Sequence, residues 1–444
     1  MQPFHVLLRS HVAILLLSFG AASAAAQETC DSCSPGLMDV DQCFDECCCS
    51  PYCYDCSGIS QLTGDWGGCR TSMAESGITF QGDVTQFYQG VARGGREQRF
   101  EYAGRGDYLM NFDMGKLANR EGLFLKIRAE HRWGETINRD TGALLPANIY
   151  GELPDFQEEL LITNFHFTQM LSPTFGFFFG KLDTLDGDAN AFAGARGKDQ
   201  FMNIGFVGTP LAFRTVPYST LGAGFVVLRD LQPIFQFMAI NPTSTVSTTG
   251  FDELFEEGVT LASEMRLPTN FLDMPGHQLI GGTWGSRSYA ALEQDPRIVI
   301  PDLNIPIERH DGSWSLYWNF DQYLMTSSEN PNVGWGIFGR AGVADEDTNP
   351  IESFYSFGFG GTSPIRCREK DSWGVGWYRA NSSDTIGPIV SNFLQLQDGQ
   401  GYELFYNIAV TPFFNLTADL QIIESASGLF DTAIVPGIRG KLVL

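Results

Sequence analysis

The feature that most restricts how this chain can fold is a period-two alternation of side chains in phrases of about ten residues. In "WSLYWNFDQY", residues 314–323, one face is apolar and the other is mostly polar; the apolar face carries Trp314, Leu316, Trp318 and Phe320. The phrases at 108–116 and 415–423 repeat this pattern. Successive side chains of a strand point to opposite faces of a sheet. From Gly77 onward the sequence therefore predicts β-strands whose two faces meet different surroundings.

The second face of the phrase "GLFLKIRAEHRWG", residues 122–134, is charged. Its alternate positions are Lys126, Arg128, Glu130 and Arg132. Four neighbouring charges do not suit a dry core, whereas they suit a water-filled lumen. Strands of about ten residues can cross a bilayer at a tilt, but strands of a soluble sandwich average about five or six. His131 falls on the apolar face of this phrase, where a packed or interfacial role is expected.

Counting such phrases gives about sixteen to eighteen, the range of porin barrels. We predict an all-β fold, a transmembrane antiparallel β-barrel of about 16 strands with long loops on one side. The long loops are expected at Glu135–Glu158, Thr184–Gln200, Asp295–Gly312 and Asn381–Gly399. Five tryptophans read as an interfacial girdle at strand ends: Trp314, Trp318, Trp335, Trp373 and Trp377. No window holds about 18 consecutive apolar residues, so a transmembrane helix is not expected.

Residues 1–26 read as a cleaved secretory signal peptide. Arg9 supplies the positive charge, an apolar run covers 12–19, and small residues at 22–26 suit a signal peptidase better than a membrane anchor. No lipidation motif precedes Cys30. The protein is predicted to be exported.

Cysteine is concentrated just after the signal peptide, in residues 27–61, which we interpret as a periplasmic extension. The Cys30-x-x-Cys33 and Cys53-x-x-Cys56 spacings would also suit zinc, but an oxidising compartment and a short segment with few apolar residues favour disulfides. Cys69 and Cys367 would form either a bridge or two unrelated thiols. The disulfide candidates are Cys30, Cys33, Cys43, Cys47, Cys48, Cys49, Cys53, Cys56, Cys69 and Cys367.

The charge balance argues against nucleic acid as a partner, since 28 basic and 52 acidic residues give a net charge of −24. The sequence shows neither a Gly-x-Ser-x-Gly elbow nor a His-Glu-x-x-His motif. An enzyme is therefore not expected, and neither is a cofactor or a catalytic metal.

Three groups of motifs resemble the carbohydrate-selective porins, the OprB type. The first is "LTGDWGG" at 62–68 with Arg70 and "GITF" at 77–80. Between them, Cys69–Ser76 is expected to form a short helix that Gly77 ends. Trp66 and Met73 are expected to hold this helix in place. The second is "FGKLD" at 179–183. The third is the group "YELFY", "NLTADLQ" and "VPGIRG" at 402–406, 415–421 and 435–440. The likeness spans 62–444, although Leu444 stands where such strands usually end in an aromatic residue.

The resemblance implies passive, carbohydrate-selective diffusion of sugars across the outer membrane, without energy coupling. Its expected partners are mono- or oligosaccharide solutes and outer-membrane lipids, with a monomer or a homotrimer as the assembly. Some relatives carry a cell-wall tether where this chain has its cysteines, so 27–61 is a candidate for cell-wall contact. The alternative function is a general or structural barrel that tethers the envelope through this segment.

A sugar channel needs charged groups that hydrogen-bond to hydroxyls and release them again. The loop at 184–200 is rich in small residues, and we expect it to fold into the lumen in preference to Glu135–Glu158. The competing interpretation is that its charges are simply solvated. The predicted channel-lining residues are Lys126, Arg128, Glu130, Arg132, Lys181, Asp183 and Arg196.

Overall fold

The computed structural model describes residues 60–155, 159–294, 305–327, 333–365, 368–387, 391 and 395–444. The chain divides into two compact units, residues 1–60 and 61–444. The predicted signal peptide and the eight cysteines of 30–56 lie outside the described residues, as does Cys367. Cys69 is described, and its side chain is exposed. The predictions for the extension and for a Cys69–Cys367 bridge therefore stay predictions.

The described residues of the second unit form sixteen strands in one closed antiparallel barrel, which confirms the predicted fold. Each strand pairs with its neighbours along the chain, and β1 pairs with β16 to close the sheet. The strands are β1 (Ile78–Gly90), β2 (Phe100–Asp113), β3 (Leu123–Gly134), β4 (Leu161–Ser172), β5 (Phe175–Asp183), β6 (Ser219–Arg229), β7 (Gln232–Ile240), β8 (Thr260–Phe271), β9 (Met274–Ala290), β10 (Arg309–Thr326), β11 (Gly334–Ala344), β12 (Ile351–Thr362), β13 (Ser372–Ser382), β14 (Gly399–Thr411), β15 (Phe414–Glu424) and β16 (Ala433–Val443).

Strand β10 shows the alternation that the sequence predicts. Leu316 is 56% exposed and Trp318 is 42% exposed, whereas Ser315 and Asn319 are each 1% exposed. Because apolar side chains face outward all round the barrel, the outer surface suits lipid and the inner surface carries the polar groups. No helix among the described residues is both long and apolar enough to span a membrane.

The predicted tryptophan girdle is only partly at strand ends. Trp335 and Trp373 lie at the first residues of β11 and β13, with ring centroids 6.4 Å apart. Trp318 and Trp377 instead lie near the middle of their strands.

One end of the barrel carries tight turns and the other carries the long loops. At the short-turn end, Asp230 and Leu231 join β6 to β7, and Leu272 and Asp273 join β8 to β9; all four have positive φ, between 52° and 62°. Two successive residues of positive φ match the right-handed twist of a hairpin. This end also holds α2 (Met114–Ala118) between β2 and β3. By the usual orientation of such barrels, the short turns face the periplasm and the long loops face outward.

The long loops differ in extent from their prediction. The loop predicted at Thr184–Gln200 continues to residue 218, because β6 begins only at Ser219, and the loop before β10 ends earlier than predicted, at 308. The other two predicted loops correspond to 135–160 and 383–398. The loop at 135–160 contains α3 (Ile149–Glu152), and the loop at 184–218 contains α4 (Ile204–Val207) and three 3-10 turns.

The N-terminal segment packs at the short-turn end, beside the start of β1 and the end of β16. The expected helix is present as α1, Cys69–Ser76, and Gly77 ends it with φ of 103°. Trp66 packs on Phe80, with ring centroids 5.7 Å apart, and the Arg70 guanidinium lies 4.6 Å from the Trp66 ring centroid. The glycines of the opening motif permit the turn that brings this tryptophan over the first strand, since Gly64, Gly67 and Gly68 have φ of 60°, 69° and 93°.

The loop at 184–218 lies inside the barrel and forms a dry core against one wall. Phe201 and Phe206 are 0% exposed; Phe201 packs 4.9 Å from the Phe405 ring of β14, and Phe206 packs 5.6 Å from the Tyr378 ring of β13. A Cβ on Gly374 would lie 2.7 Å from the Phe201 ring, so this glycine leaves the space that the loop occupies. The lumen differs here from the predicted water-filled interior, because large aromatic side chains of the loop fill it.

Candidate functional site

The charged face of β3 points into the barrel, and its side chains are buried. Arg128, Glu130 and Arg132 are 7%, 0% and 6% exposed. The sequence predicts that this ladder lines a water-filled lumen, but little of these three side chains is accessible to solvent. The reason is that residues of the neighbouring strands and of the loop at 184–218 pair with these charges.

Glu130 is the most enclosed member of this cluster. Its carboxylate accepts hydrogen bonds from the Tyr218 hydroxyl at 2.5 Å, from Thr163 Oγ1 at 2.7 Å and from Arg196 Nη2 at 3.1 Å. It also pairs with Arg105 of β2, which donates to it directly. Two guanidinium groups balance the charge of this buried carboxylate and two hydroxyls complete its hydrogen bonds, so removing one donor would leave a buried oxygen with fewer partners.

Arg196 joins the loop at 184–218, called the inserted loop below, to the barrel wall around β3. Its Nη2 lies 2.8 Å from Asp183 and its Nη1 lies 2.7 Å from Asp186. Burial alone would lower the pKa of Arg196, but the charges of Asp183 and Asp186 hold it well above the ordinary value. Arg196 has φ of 56°, a left-handed conformation that costs a residue other than glycine on the order of 1–3 kcal/mol. The ion pairs offset this cost.

Arg128 extends the cluster to both sides. Its Nη1 lies 2.9 Å from Asp183 and 3.0 Å from Asp186, and its Nε lies 3.3 Å from Asp107. Burial would raise the pKa of the Asp186 carboxyl, but Arg196, Arg128 and Lys126 hold it well below its ordinary range. Positive and negative groups therefore alternate along the inner wall, and the cluster stays ionised.

Two predicted site residues lie apart from this cluster. The Lys181 ammonium donates to the main-chain oxygens of Val246 at 3.1 Å and Thr248 at 2.9 Å, in the loop between β7 and β8. Arg132 donates to the Pro154 oxygen at 2.7 Å, in the loop between β3 and β4. Both side chains fasten loops at the long-loop end.

The loop at 135–160 also reaches the interior. Tyr150 of α3 is 0% exposed, and the Arg105 guanidinium lies 4.0 Å from its ring centroid. Lys198 of the other loop lies 5.3 Å from the same ring and pairs with Asp83 and Asp107 at 2.6 and 2.5 Å. Both loops therefore narrow the lumen. The sequence analysis predicts this position for the loop at 184–200 in preference to Glu135–Glu158.

A cavity of about 240 Å³ remains between the inserted loop and the inner wall from β3 to β10. Two of the predicted residues, Lys126 and Asp183, line it. Its other polar groups include those of Asn164, His166, Asp186, Gln236, Ser263, Glu264 and Tyr317. Its apolar groups include Phe178, Leu185, Phe213 and Met238. The space therefore offers both hydrogen-bonding groups and aromatic faces.

Glu264 connects this cavity to the inserted loop. Its carboxylate accepts hydrogen bonds from the Asp188 main-chain nitrogen at 2.8 Å, from the Tyr317 hydroxyl at 2.7 Å and from Gln236 Nε2 at 2.6 Å. Three donors on three different elements fix the position of the loop against β7, β8 and β10.

Sequence reasoning missed several of these groups for different reasons. Arg105 lies in phase with Asn111 and Asp113 of the same strand, so extending the alternation toward the start of β2 would have found it. Glu264 and Gln236 could have been found in the same way. Tyr218 lies in the loop just before β6, where no periodic signal exists.

Two further features bear on other chemistry: possible metal ligands and His131. Among the described residues, no three His, Cys, Asp or Glu side chains are grouped to hold a metal ion. His131 lies on the outer face, stacked between Tyr108 and Trp133 with centroid distances of 5.8 and 5.0 Å. This is the packed position expected for it.

Comparison with known proteins agrees with this architecture. The family described as "Carbohydrate-selective porin, OprB family" matches residues 97–444. Porin B of Pseudomonas aeruginosa is 22% identical over 86% of this chain and 91% of its own length. The high-pH structure of OprB from Pseudomonas putida has a TM-score of 0.75 at 18% identity, covering 87% of this chain and 99% of that one. The low-pH structure of the same protein has a TM-score of 0.55 at 15% identity, covering 87% of this chain and 98% of that one. The solved structures share the barrel fold, and the family match covers most of the chain: the protein belongs to the carbohydrate-selective porin family OprB, as an outer-membrane porin for the passive diffusion of sugars.

Proposed function

We propose that sugars cross this barrel through the cavity between the loop at 184–218 and the inner wall from β3 to β10. The observation that carries the proposal is the composition of that cavity. Lys126, Gln236 and Glu264 offer donors and acceptors, while Phe178 and Phe213 offer aromatic surfaces. Sugar hydroxyls need the first kind of group, and sugar C–H faces pack against the second.

The opposite side of the lumen is filled by aromatic side chains, which favours the cavity as the route. Phe192, Phe201 and Phe206 of the loop pack against Phe338 and Phe405 of the wall. A polar solute would have to displace this apolar core to pass there. The open side is therefore the path of lower free energy.

The predicted channel-lining residues have two roles in this proposal. Lys126 contacts the solute, whereas the Asp183 side chain is fully buried against Arg128 and Arg196 and helps to position the loop. Arg128, Glu130 and Arg196 position the loop that bounds the path, while Arg132 and Lys181 position the other loops. Charged groups that already pair with one another bind a passing sugar only weakly, which permits its release.

A cavity-filling substitution tests the route. Ala262 lines the cavity and is 9% exposed, so A262F would place a phenyl ring in the proposed path. Ala223 is exposed on the outer face of β6, and A223F is the matched control. In proteoliposome swelling, A262F should slow glucose entry severalfold while A223F leaves it unchanged. Unchanged entry through a folded A262F barrel would show that sugars take another path.

We also propose that residues 27–61 form a disulfide-stapled module ahead of the barrel, on the periplasmic side. The eight cysteines between 30 and 56 support this, because an even number permits complete pairing in an oxidising compartment. Its contact with the cell wall is part of the same proposal.

A further inference from the structure

Two arginines and a tyrosine meet inside the barrel at the long-loop end. Arg287 and Tyr289 belong to the last residues of β9, and Arg214 ends a 3-10 turn of the inserted loop. Each guanidinium carbon lies 5.0 Å from the Tyr289 ring centroid. Tyr289 is 1% exposed, so both cations lie against one buried ring.

Other interior arginines are closely paired: Arg132 and Arg439 donate to main-chain oxygens, each at 2.7 Å, and several more lie beside carboxylates. Arg128, Arg196 and Arg340 each lie within 3.0 Å of a carboxylate. Arg214 makes no ion pair or side-chain hydrogen bond with any residue that the structure describes. Among the residues that the structure describes, Arg287 reaches the Pro242 oxygen at 3.4 Å and Glu257, a 61% exposed side chain, at 3.7 Å.

The local electrostatics make the pair unfavourable without an anion. Burial lowers the pKa of Arg214, and the neighbouring charge of Arg287 lowers it further. Like charges brought together away from bulk water repel each other more strongly than they do in water. An anion bound to both guanidinium groups would relieve this repulsion.

The surroundings of Tyr289 show that the arrangement is built into the fold. A Cβ on Gly285 would lie 2.3 Å from the Tyr289 hydroxyl, so the glycine makes room for this group. That hydroxyl is buried and has no hydrogen-bond partner among the described residues. Arg214 is half-buried and the Arg287 side chain is 31% exposed, so part of each side chain is accessible to a ligand.

We propose that Arg214 and Arg287 bind the anionic group of an acidic sugar at the outer mouth of the channel. Guanidinium groups match carboxylate and phosphate oxygens with paired donors. The side chains lie inside the barrel, so the ligand comes from the solute and not from a lipid headgroup. The site is positive although the whole chain has a net charge of −24. The proposal rests on the proposed sugar-porin function, and it adds hexuronates and sugar phosphates to the solutes.

The test compares the charge-neutral double variant R214Q/R287Q with the unchanged protein. The control is R379Q, since Arg379 is also at the long-loop end but already pairs with Asp398 at 2.7 Å. Proteoliposome swelling is measured with glucose, with glucuronate and with glucose 6-phosphate. We expect the double variant to slow entry of both anionic sugars more than about tenfold relative to glucose, the effect of losing one charge-assisted hydrogen bond. R379Q should leave all three rates unchanged.

The outcomes separate this proposal from the proposed sugar route. Unchanged entry of both anionic sugars in the double variant would overturn it and leave the arginines as packing partners of Tyr289. Acetate entry with the same dependence on the two arginines would reveal a general anion filter and contradict the assignment to sugars. If glucose entry also falls, R214K/R287K decides: retained preference for glucuronate supports the charge-based site, and lost preference contradicts it. If A262F slows glucose entry and the arginine variants do not, that result concerns the sugar route and not this anion site.

Discussion

Arg70 of α1 donates a hydrogen bond from Nη2 to the main-chain oxygen of Leu444, at 3.0 Å. The Leu62 nitrogen donates to the Val443 oxygen at 2.8 Å, and the Leu444 nitrogen donates to the Gly82 oxygen at 2.8 Å. The segment before the barrel therefore fastens the seam where β1 meets β16. This gives the Gly-rich opening motif a structural role that is separate from transport.

We expect R70A to lower the free energy of unfolding by about 1–3 kcal/mol. It removes the hydrogen bond to Leu444 and the cation–π contact with Trp66, each worth about 1 kcal/mol. Arg120 is an exposed residue of the turn between β2 and β3, so R120A is the control. Urea unfolding in detergent micelles measures both variants. Equal urea midpoints for R70A and the unchanged protein would mean that the β1–β16 seam does not depend on the contacts of Arg70.

A second prediction concerns the dry core inside the barrel. Phe201 is fully buried against Phe206, Phe338 and Phe405, so F201A should leave a cavity and destabilise the loop at 184–218 by about 3–5 kcal/mol. The sixteen-strand sheet does not depend on this contact and should persist. Limited proteolysis should therefore cut the loop faster, while the heat-dependent mobility shift of the barrel on gels is unchanged.

The matched control is F357A on the outer face of β12, where Phe357 is 43% exposed. It should leave the cleavage rate of the loop unchanged. Equal cleavage of F201A and F357A would contradict the anchoring of the loop by its aromatic core.

A third prediction follows from the depressed pKa of Asp186. A carboxyl whose pKa is lowered on folding stabilises the native state above the pKa that it has when unfolded, and this contribution is lost as pH falls through the folded value. Its ion pairs with Arg128 and Arg196 should therefore persist from neutral pH down to about pH 4, near the ordinary pKa of aspartate. Single-channel conductance should change little over this range.

D186N provides the comparison for this pH series. It should shift the conductance already at neutral pH, because Arg128 and Arg196 each lose one partner. A conductance change between about pH 4 and 7 that D186N abolishes would show that Asp186 titrates in this range, and its ion pairs would then not hold the carboxyl ionised.

A fourth prediction concerns the cysteines at 30–56. We expect them to be fully oxidised in the exported protein and to pair among themselves, since the segment is too short and too polar for an apolar core. Mass spectrometry under non-reducing conditions measures the number of free thiols. Free thiols throughout the segment, or stoichiometric zinc, would replace the disulfide module with a metal-binding one.

The alternation of side chains was sufficient to predict the barrel. Each strand has its own alternation of apolar and polar residues, as in Trp314–Tyr323. This local pattern does not depend on which strands lie beside it. The helix at Cys69–Ser76 is also predictable from a local signal, because Gly77, which ends it, is adjacent in sequence. Strand-level features of this kind need no knowledge of distant contacts.

The interior could not be predicted in the same way. Arg196 meets Glu130 only because a long loop turns back into the lumen, and the sequence contains no periodic signal for that return. The partners of Lys181 and Arg132 are main-chain oxygens, which carry no sequence signature at all. The position of Phe201 depends on space left by Gly374 across the barrel, a relationship between residues far apart in the chain.

The measurement that tests carbohydrate-selective passage most directly is the relative rate at which solutes enter proteoliposomes containing the purified mature protein. Swelling would be compared for mono- and oligosaccharides and for peptides and dicarboxylates of matched size, with protein-free vesicles as the blank. A carbohydrate-selective passive pore predicts that the sugars enter faster and that their rates follow the concentration gradient without any energy source. Equal rates for all solutes would contradict carbohydrate selectivity, and no entry of any solute through a folded barrel would contradict the channel itself.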